Sequence, residues 1–99
     1  MTPAEELLAR TTQAVNQRRI DYGPPAEHFS RTAAMLNILF QQKLKQGESF
    51  CASDWAAAMV VDKLARSAGT HPIEDNIVDI AGYAACWFEA WRANKERAL

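Results

Sequence analysis

Residues 74–85 read Glu-Asp-Asn-Ile-Val-Asp-Ile-Ala-Gly-Tyr-Ala-Ala, and this pattern predicts the opening of an amphipathic α-helix. At helical spacing, Asp75, Asp79, Gly82 and Tyr83 share one face. A glycine inside a helix costs about 1 kcal/mol relative to alanine, so Gly82 beside two carboxylates predicts close approach of another backbone or a ligand. Asp75 has an alternative explanation, because a negative charge in the first turn of a helix interacts favourably with the helix dipole. Asp79 lies beyond the first turn, where this interaction is weaker. A second face is apolar and holds Ile77, Ile80, Ala81, Ala84, Trp87, Phe88 and Trp91.

The composition fits one globular domain over residues 1–99, with 48% hydrophobic residues. A net charge of -1 favours neither nucleic acid nor a membrane surface as a partner. No apolar run of about 18 residues predicts a membrane span, and the acidic start of the chain lacks a signal core. We therefore expect a cytoplasmic protein. Because Cys51 and Cys86 have no paired metal-ligand spacing, we expect them to be small buried hydrophobes.

Turn and capping signals divide the chain into four predicted helices and no strand. Thr2 with Glu5 forms a capping box, Gly23 with two prolines separates the first two helices, and Gly69 is a predicted C-cap. Each predicted helix carries apolar residues at helical spacing. The predicted helices run from Thr2 to Arg18 or Arg19, from about Pro25 to Lys45, from the N-cap Ser53 to Ala68, and from Pro72 to about Lys95.

Four charged side chains are expected to meet between the third and fourth predicted helices. A short connection makes these helices antiparallel neighbours, so Lys63 and Arg66 can face Asp79 and Asp75. One interpretation is a set of interhelical ion pairs that fix the register. The other is that the carboxylates hold magnesium while the cations hold phosphate. The spacing alone leaves both interpretations open.

Four segments carry a resemblance that covers about Ala4 to Trp91. They read Arg-Ile-Asp-Tyr-Gly at 19–23, Ala-Glu-His-Phe at 26–29, Ala-Ala-Met-Val-Val-Asp-Lys-Leu-Ala-Arg at 57–66, and the 75–84 helix opening. Together they resemble a phage and prophage domain of uncharacterised function, which in turn resembles the MazG-like all-α NTP pyrophosphohydrolases. Those enzymes bind magnesium through a Glu-Glu-x-x-Glu and a Glu-x-x-Asp segment. Residues 76–79 match the Glu-x-x-Asp segment, with asparagine in place of glutamate. The Glu-Glu-x-x-Glu segment does not occur at the corresponding place in this chain.

The resemblance implies an all-α, four-helix MazG-like domain that binds a nucleotide, with magnesium-dependent pyrophosphohydrolysis of a (d)NTP as its activity. By the same resemblance, Asp75 and Asp79 are the catalytic metal ligands, and Glu27 or Asp62 is the candidate third ligand. The implied substrate-binding residues are Lys63 and Arg66 for phosphate, Tyr22 and Tyr83 for base or sugar, and Arg19.

Two further functions remain open at the sequence level. One is a phage protein that binds a nucleotide, or sequesters a nucleotide signal, without catalysis. The other is a structural helical oligomer in which the charged residues form only ion pairs. Trp55, Trp87 and Trp91 are many tryptophans for 99 residues, so a homo-oligomer with a helical interface is expected in either case.

Overall fold

The computed structural model describes residues 1–68 and 73–98, and within these ranges the chain is all-α, as predicted. No strand occurs in them. Five helices are present there instead of the four predicted. They are α1 (Pro3–Tyr22), α2 (Pro25–Leu39), α3 (Gln41–Lys45), α4 (Ala52–Arg66) and α5 (Glu74–Ala98).

The extra helix comes from a break at Phe40, so the prediction of one helix from Pro25 to Lys45 was wrong. Phe40 has φ -100° and ψ 13°, and its N–H donates to the carbonyl of Leu36 at 2.9 Å. Its ring packs against Phe50, with ring centroids 4.9 Å apart. A contact with the loop before α4 therefore accompanies the break, which helical spacing alone does not reveal.

The remaining helix ends differ from the predictions by a few residues. The Thr2 cap is confirmed, since its Oγ1 accepts the Glu5 N–H at 3.2 Å. α1 extends past Arg19 to Tyr22, where Gly23 ends it with φ 80°, a conformation that favours glycine. α5 continues beyond Lys95 to Ala98. The predicted C-cap at Gly69 and the helix start at Pro72 lie outside the described residues.

α4 lies between α2 and α5, and small side chains line its buried face. The buried apolar residues of the described chain are Ala56, Ala57, Val61 and Ala65. α5 runs antiparallel to α4, because Trp87 Nε1 donates to Ser53 Oγ at 2.9 Å near one end of the pair, while Lys63 meets Asp79 near the other. Small side chains allow close approach of the neighbouring helices, so α4 is the centre of the fold.

The inward face of α5 lies between the predicted polar and apolar faces and includes the half-buried Ile80. Asn76 is buried and Asp79 and Tyr83 are half-buried, whereas the apolar Ile77 and Phe88 are exposed. These inward residues recur at the spacing of one helical face. The three tryptophans are all exposed, as are several other large apolar side chains of the described chain.

Two expectations drawn from composition have different outcomes. Cys86 is exposed and Cys51 is half-buried at the start of α4, so the prediction of two buried cysteines was wrong. None of the helices within 1–68 and 73–98 combines the length and the apolarity needed to cross a membrane.

The start of α4 is fixed by Asp54 rather than by Ser53, the predicted N-cap. Cys51 is the N-cap residue, and its N–H donates to Asp54 Oδ2 at 2.8 Å. Asp54 also pairs with Lys43 of α3. Burial would raise the pKa of Asp54, but the hydrogen bonds from Lys43 and Cys51 outweigh it and hold that pKa below its usual value. The bond to Asp54 raises the pKa of Lys43.

Replacing Asp54 by alanine should lower the free energy of unfolding at pH 7 by about 1–2 kcal/mol, the upper part of the range for a lost N-terminal cap. Since the pKa of Asp54 is lower in the folded than in the unfolded chain, this contribution is present above about pH 4 and is lost as the pH falls through the folded pKa. Urea denaturation of wild type and Asp54→Ala at pH 7 and pH 3 measures how much Asp54 contributes to the free energy of unfolding at each pH. Lys43→Ala keeps the bond to Cys51 and should have a smaller effect. An equal loss from Asp54→Ala at both pH values would contradict this assignment.

Candidate functional site

The end of α1, the start of α2 and the end of α4 enclose a cavity of about 100 Å³. The residues that line it include three arginines and the rings of Tyr22, His28 and Phe29, with no carboxylate-bearing residue among those described, and the surface that they expose to the cavity is mostly apolar. The lining residues are Arg18, Arg19, Tyr22, Gly23, Pro25, His28, Phe29 and Arg66. Three of the predicted substrate-binding residues, Arg19, Tyr22 and Arg66, therefore come together here.

The α1–α2 connection brings the aromatic walls of this cavity together. The Gly23 N–H donates to the Arg19 carbonyl at 2.9 Å, and α2 begins two residues later at Pro25. Proline at the first position of a helix needs no N–H partner and has a suitable φ. The tight turn stacks the rings of Tyr22 and His28, with centroids 6.3 Å apart and planes inclined by 29°.

Arg66 is held from two sides at the cavity wall. Its Nε donates to Asp62 Oδ2 of the same helix at 3.1 Å. Its guanidinium carbon lies 5.3 Å from the centroid of the Tyr22 ring, a cation–π distance. A guanidinium has five N–H donors, so these two contacts orient the group and leave further donors for a ligand.

His28 is buried, only 5% exposed, which is uncommon for a histidine near the start of a helix. Its Nε2 lies 3.4 Å from Asp62 Oδ1, close enough for an ion pair if the ring is protonated. Among the described residues, neither ring nitrogen has a hydrogen-bond partner. A buried polar group without a partner costs about 1–3 kcal/mol, so a ligand that bonded to His28 would recover this energy.

Asn76, which sequence reasoning did not select as a site residue, lies behind the cavity and is 2% exposed. Its Oδ1 accepts a long hydrogen bond from the Tyr22 hydroxyl at 3.5 Å, and its Nδ2 has no partner in the described part of the chain. The spacing of 76, 79, 80 and 83 marks one helical face and could have identified Asn76. Asn76 links α5 to the aromatic wall formed by α1.

Lys63 and Asp79 form the predicted interhelical ion pair, with Nζ and Oδ2 3.0 Å apart. The matching prediction that Arg66 faces Asp75 was wrong. Arg66 turns to Asp62 on its own helix, and Asp75 is exposed at the first turn of α5. One residue rotates a helix by about 100°, so Asn76 rather than Asp75 occupies the inward position.

Tyr83 lies away from the cavity. It lines a shallow groove on α5 together with Val78, Asp79, Gly82 and Cys86. Gly82 itself has open space where a Cβ would lie, so the expected close approach of a backbone is not seen among the described residues. Tyr22 and Tyr83, both predicted to contact base or sugar, thus belong to two separate surfaces.

The three predicted metal ligands are not brought together. Glu27 is exposed beside Gly23, Asp75 is exposed on α5, and Asp79 is paired with Lys63. No group of three or more histidine, cysteine, aspartate or glutamate side chains within 1–68 and 73–98 is arranged to hold a metal ion. A multi-metal site needs several convergent carboxylates, so these residues do not fit the magnesium site that the resemblance implies.

Comparison with known proteins extends over most of this chain. Residues 6–90 match the sequence profile of the family described as "Domain of unknown function (DUF6378)". The chain belongs to this family. The DUF6378 chain is 34% identical over 84 residues to the Gene 55 protein of Mycobacterium phage L5, covering 85% of this chain and 47% of that protein. It is 29% identical over 84 residues to the Gene 55 protein of Mycobacterium phage D29, covering 84% of this chain and 52% of that protein.

These comparisons separate the two parts of the resemblance drawn from the sequence. The phage relatives and the family match agree with its phage-domain part. They do not support its MazG-like part. The chain spans about half the length of the curated relatives it matches. No solved structure matches the chain.

Replacing Lys63 by alanine should lower the free energy of unfolding by about 1 kcal/mol, the upper end for a partly exposed ion pair, because Asp79 loses its partner. Asp79→Ala should also destabilise, while the double variant should lose less than the sum of the two. Urea denaturation of all four proteins gives the coupling energy. Arg92→Ala with Glu96→Ala is a control, since that pair is exposed on one helix face. Additive effects at positions 63 and 79 would contradict a stabilising ion pair.

Proposed function

We propose that this DUF6378 protein binds a nucleotide or nucleotide-derived ligand through its phosphate in the cavity between α1, α2 and α4. The supporting observation is the set of groups around that cavity. Arg18, Arg19 and Arg66 line it together with His28, whose buried ring nitrogens have no hydrogen-bond partner among the described residues. The planar guanidinium group of arginine presents N–H donors whose geometry matches phosphate oxygens, and it forms charge-assisted hydrogen bonds with them.

Local charge supports an anionic ligand even though the chain as a whole has a net charge of only -1. Three arginines line the cavity, and Asp62 behind it neutralises part of the charge of Arg66. Clustered cations in a concave site raise the local concentration of an anion. The Tyr22 ring and Asp62 also preorganise Arg66, which reduces the entropy lost on binding.

The size of the cavity indicates which part of a nucleotide enters it. A volume of about 100 Å³ is below the roughly 300–1,000 Å³ of sites that enclose a whole drug-sized ligand. The phosphate therefore enters, and the sugar and base lie outside. The exposed Phe29 ring at the rim offers a stacking surface for the base. Tyr22 carries Arg66 on its ring face, so we assign it a positioning role.

Binding is the part of the MazG-like hypothesis that these residues support best. Neither Asp75 nor Asp79, the implied catalytic carboxylates, lines the cavity. The resemblance also implies magnesium-dependent pyrophosphohydrolysis, so the experiment below measures hydrolysis as well as binding. A DUF6378 protein that retains a nucleotide without cleaving it would act as a binding or sequestering protein in a phage-infected cell.

A structural role is the competing proposal for the α4–α5 face. The Lys63–Asp79 ion pair supports it, because both side chains already have a partner at 3.0 Å. Under this proposal the pair fixes the helix register, and the protein assembles through its exposed apolar surface. The two proposals concern different surfaces and can be tested separately.

Arg66→Ala should weaken nucleotide binding by about 1.5–3 kcal/mol, roughly tenfold to a hundredfold in Kd, since it removes a charge-assisted hydrogen bond. Isothermal titration with a (d)NTP panel, with and without magnesium, measures affinity, and diphosphate analysis of the same samples detects hydrolysis. Raising the salt concentration should weaken wild-type binding, because screening reduces attraction to accessible cations.

Arg92→Ala is the matched control, since it makes the same change in net charge at an exposed site on α5. It should leave the affinity unchanged. No binding by wild type, or equal losses from the two variants, would contradict the cavity as the phosphate site. Diphosphate release that Asp79→Asn abolishes in a folded protein would instead support the hydrolase.

A further inference from the structure

α1 is a long helix without a partner for its apolar face among the described residues. It contains 20 residues, none of them buried. Most helical stability in proteins comes from packing an amphipathic face rather than from helix propensity. Leu8 is 64% exposed and Val15 is 38% exposed, and their spacing of seven residues places both on one face of α1.

The shape of the chain also indicates that little apolar surface is buried. Its radius of gyration is 16.8 Å, with extents of 54 × 32 × 28 Å. A compact domain of 100 residues has a radius of gyration of about 13 Å. The described chain buries only four apolar residues, three of them alanines. A chain of this length would normally bury more apolar surface, so the apolar face of α1 is a candidate for burial against another molecule.

The charges of α1 are arranged so that the helix complements itself. Glu5 and Glu6 lie in its first turn, whereas Arg18 and Arg19 lie near its end. In an antiparallel pair of α1 helices related by a two-fold axis near Thr11, each acidic end lies beside the basic end of the other helix. The same register places Leu8 of one helix opposite Val15 of the other.

We propose that α1 is a self-association helix, which packs antiparallel against α1 of a second copy of this chain. The stripe of Ala4, Leu8, Thr11 and Val15 has the alternating spacing of four and three residues found at helix–helix seams. A two-fold interface uses the same patch on both copies, and the opposite charges at the two ends of α1 satisfy that condition. A partner of different sequence would not need this internal complementarity.

The association has a consequence for the cavity between α1, α2 and α4. α1 supplies Arg18, Arg19 and Tyr22 to it, and the last of these contacts Arg66 and Asn76. Packing along the rest of α1 fixes the helix that carries these residues, and the same register places Glu5 and Glu6 of the second copy beside Arg18 and Arg19. The inference goes beyond the proposed nucleotide binding, and its readout, molecular mass, does not depend on any ligand.

Sedimentation equilibrium at micromolar concentration should give about twice the chain mass of 11.1 kDa for wild type. Leu8→Lys combined with Val15→Lys should return the protein to the mass of one chain while the protein stays folded, since both residues are exposed within a single chain. Ile38→Lys is the control, because Ile38 is 76% exposed on α2 and lies outside the proposed interface. This variant should keep the wild-type mass.

Charge reversal tests the antiparallel arrangement. Glu6→Lys alone and Arg18→Glu alone should each weaken the dimer, and the two together should restore it, because the opposite charges face each other again. Glu6 is chosen because Glu5 takes part in the Thr2 cap. A wild-type mass of one chain would overturn the proposal, as would a dimer that survives both lysine substitutions. Failure of the combined reversal to restore the dimer would also overturn it.

Discussion

The close packing made possible by the small residues of α4 underlies the rest of this structure. Ala56, Ala57, Val61 and Ala65 are its buried residues, and they allow α2 and α5 to approach α4 from two sides. Polar contacts near the end of α4 depend on this approach, since hydrogen bonds and ion pairs need atoms within about 3–4 Å. Asp62, for example, reaches His28 of α2 while also holding Arg66. The core therefore positions the side chains of the candidate site.

The two ends of the α4–α5 pair differ in chemistry. One end has a tryptophan–serine hydrogen bond and an aspartate that caps α4 and pairs with Lys43. The other end contains the buried polar residues of the described chain, His28 and Asn76, and neither the His28 ring nitrogens nor the Asn76 amide nitrogen has a hydrogen-bond partner there, although His28 Nε2 lies 3.4 Å from Asp62. Unsatisfied buried polar groups are uncommon in folded proteins. Their presence beside three arginines is the feature that supports the proposed binding site.

Local signals in the sequence predict much of the fold and part of the site. Capping and turn residues give the all-α class and most helix ends, and a short connection predicts the contact between Lys63 and Asp79. The break at Phe40 is accompanied by a ring contact with Phe50 in the loop before α4, which helical spacing cannot show. The burial of His28 and Asn76 depends on how each helix is rotated within the tertiary structure, which a single sequence defines poorly. The same uncertainty made Asp75, rather than Asn76, the expected partner of α4.

The isolation of α1 has a consequence for how the protein unfolds. Amide hydrogens exchange with solvent through local opening, and segments with few tertiary contacts open at low free energy. Since α1 buries no residue, its backbone amides in a single chain should exchange much faster than those of the α4–α5 pair. Loss of α1 would remove Arg18, Arg19 and Tyr22 from the cavity while leaving Arg66 in place. The cationic site is therefore divided between two units of unequal thermodynamic stability, and its integrity is limited by the weaker one.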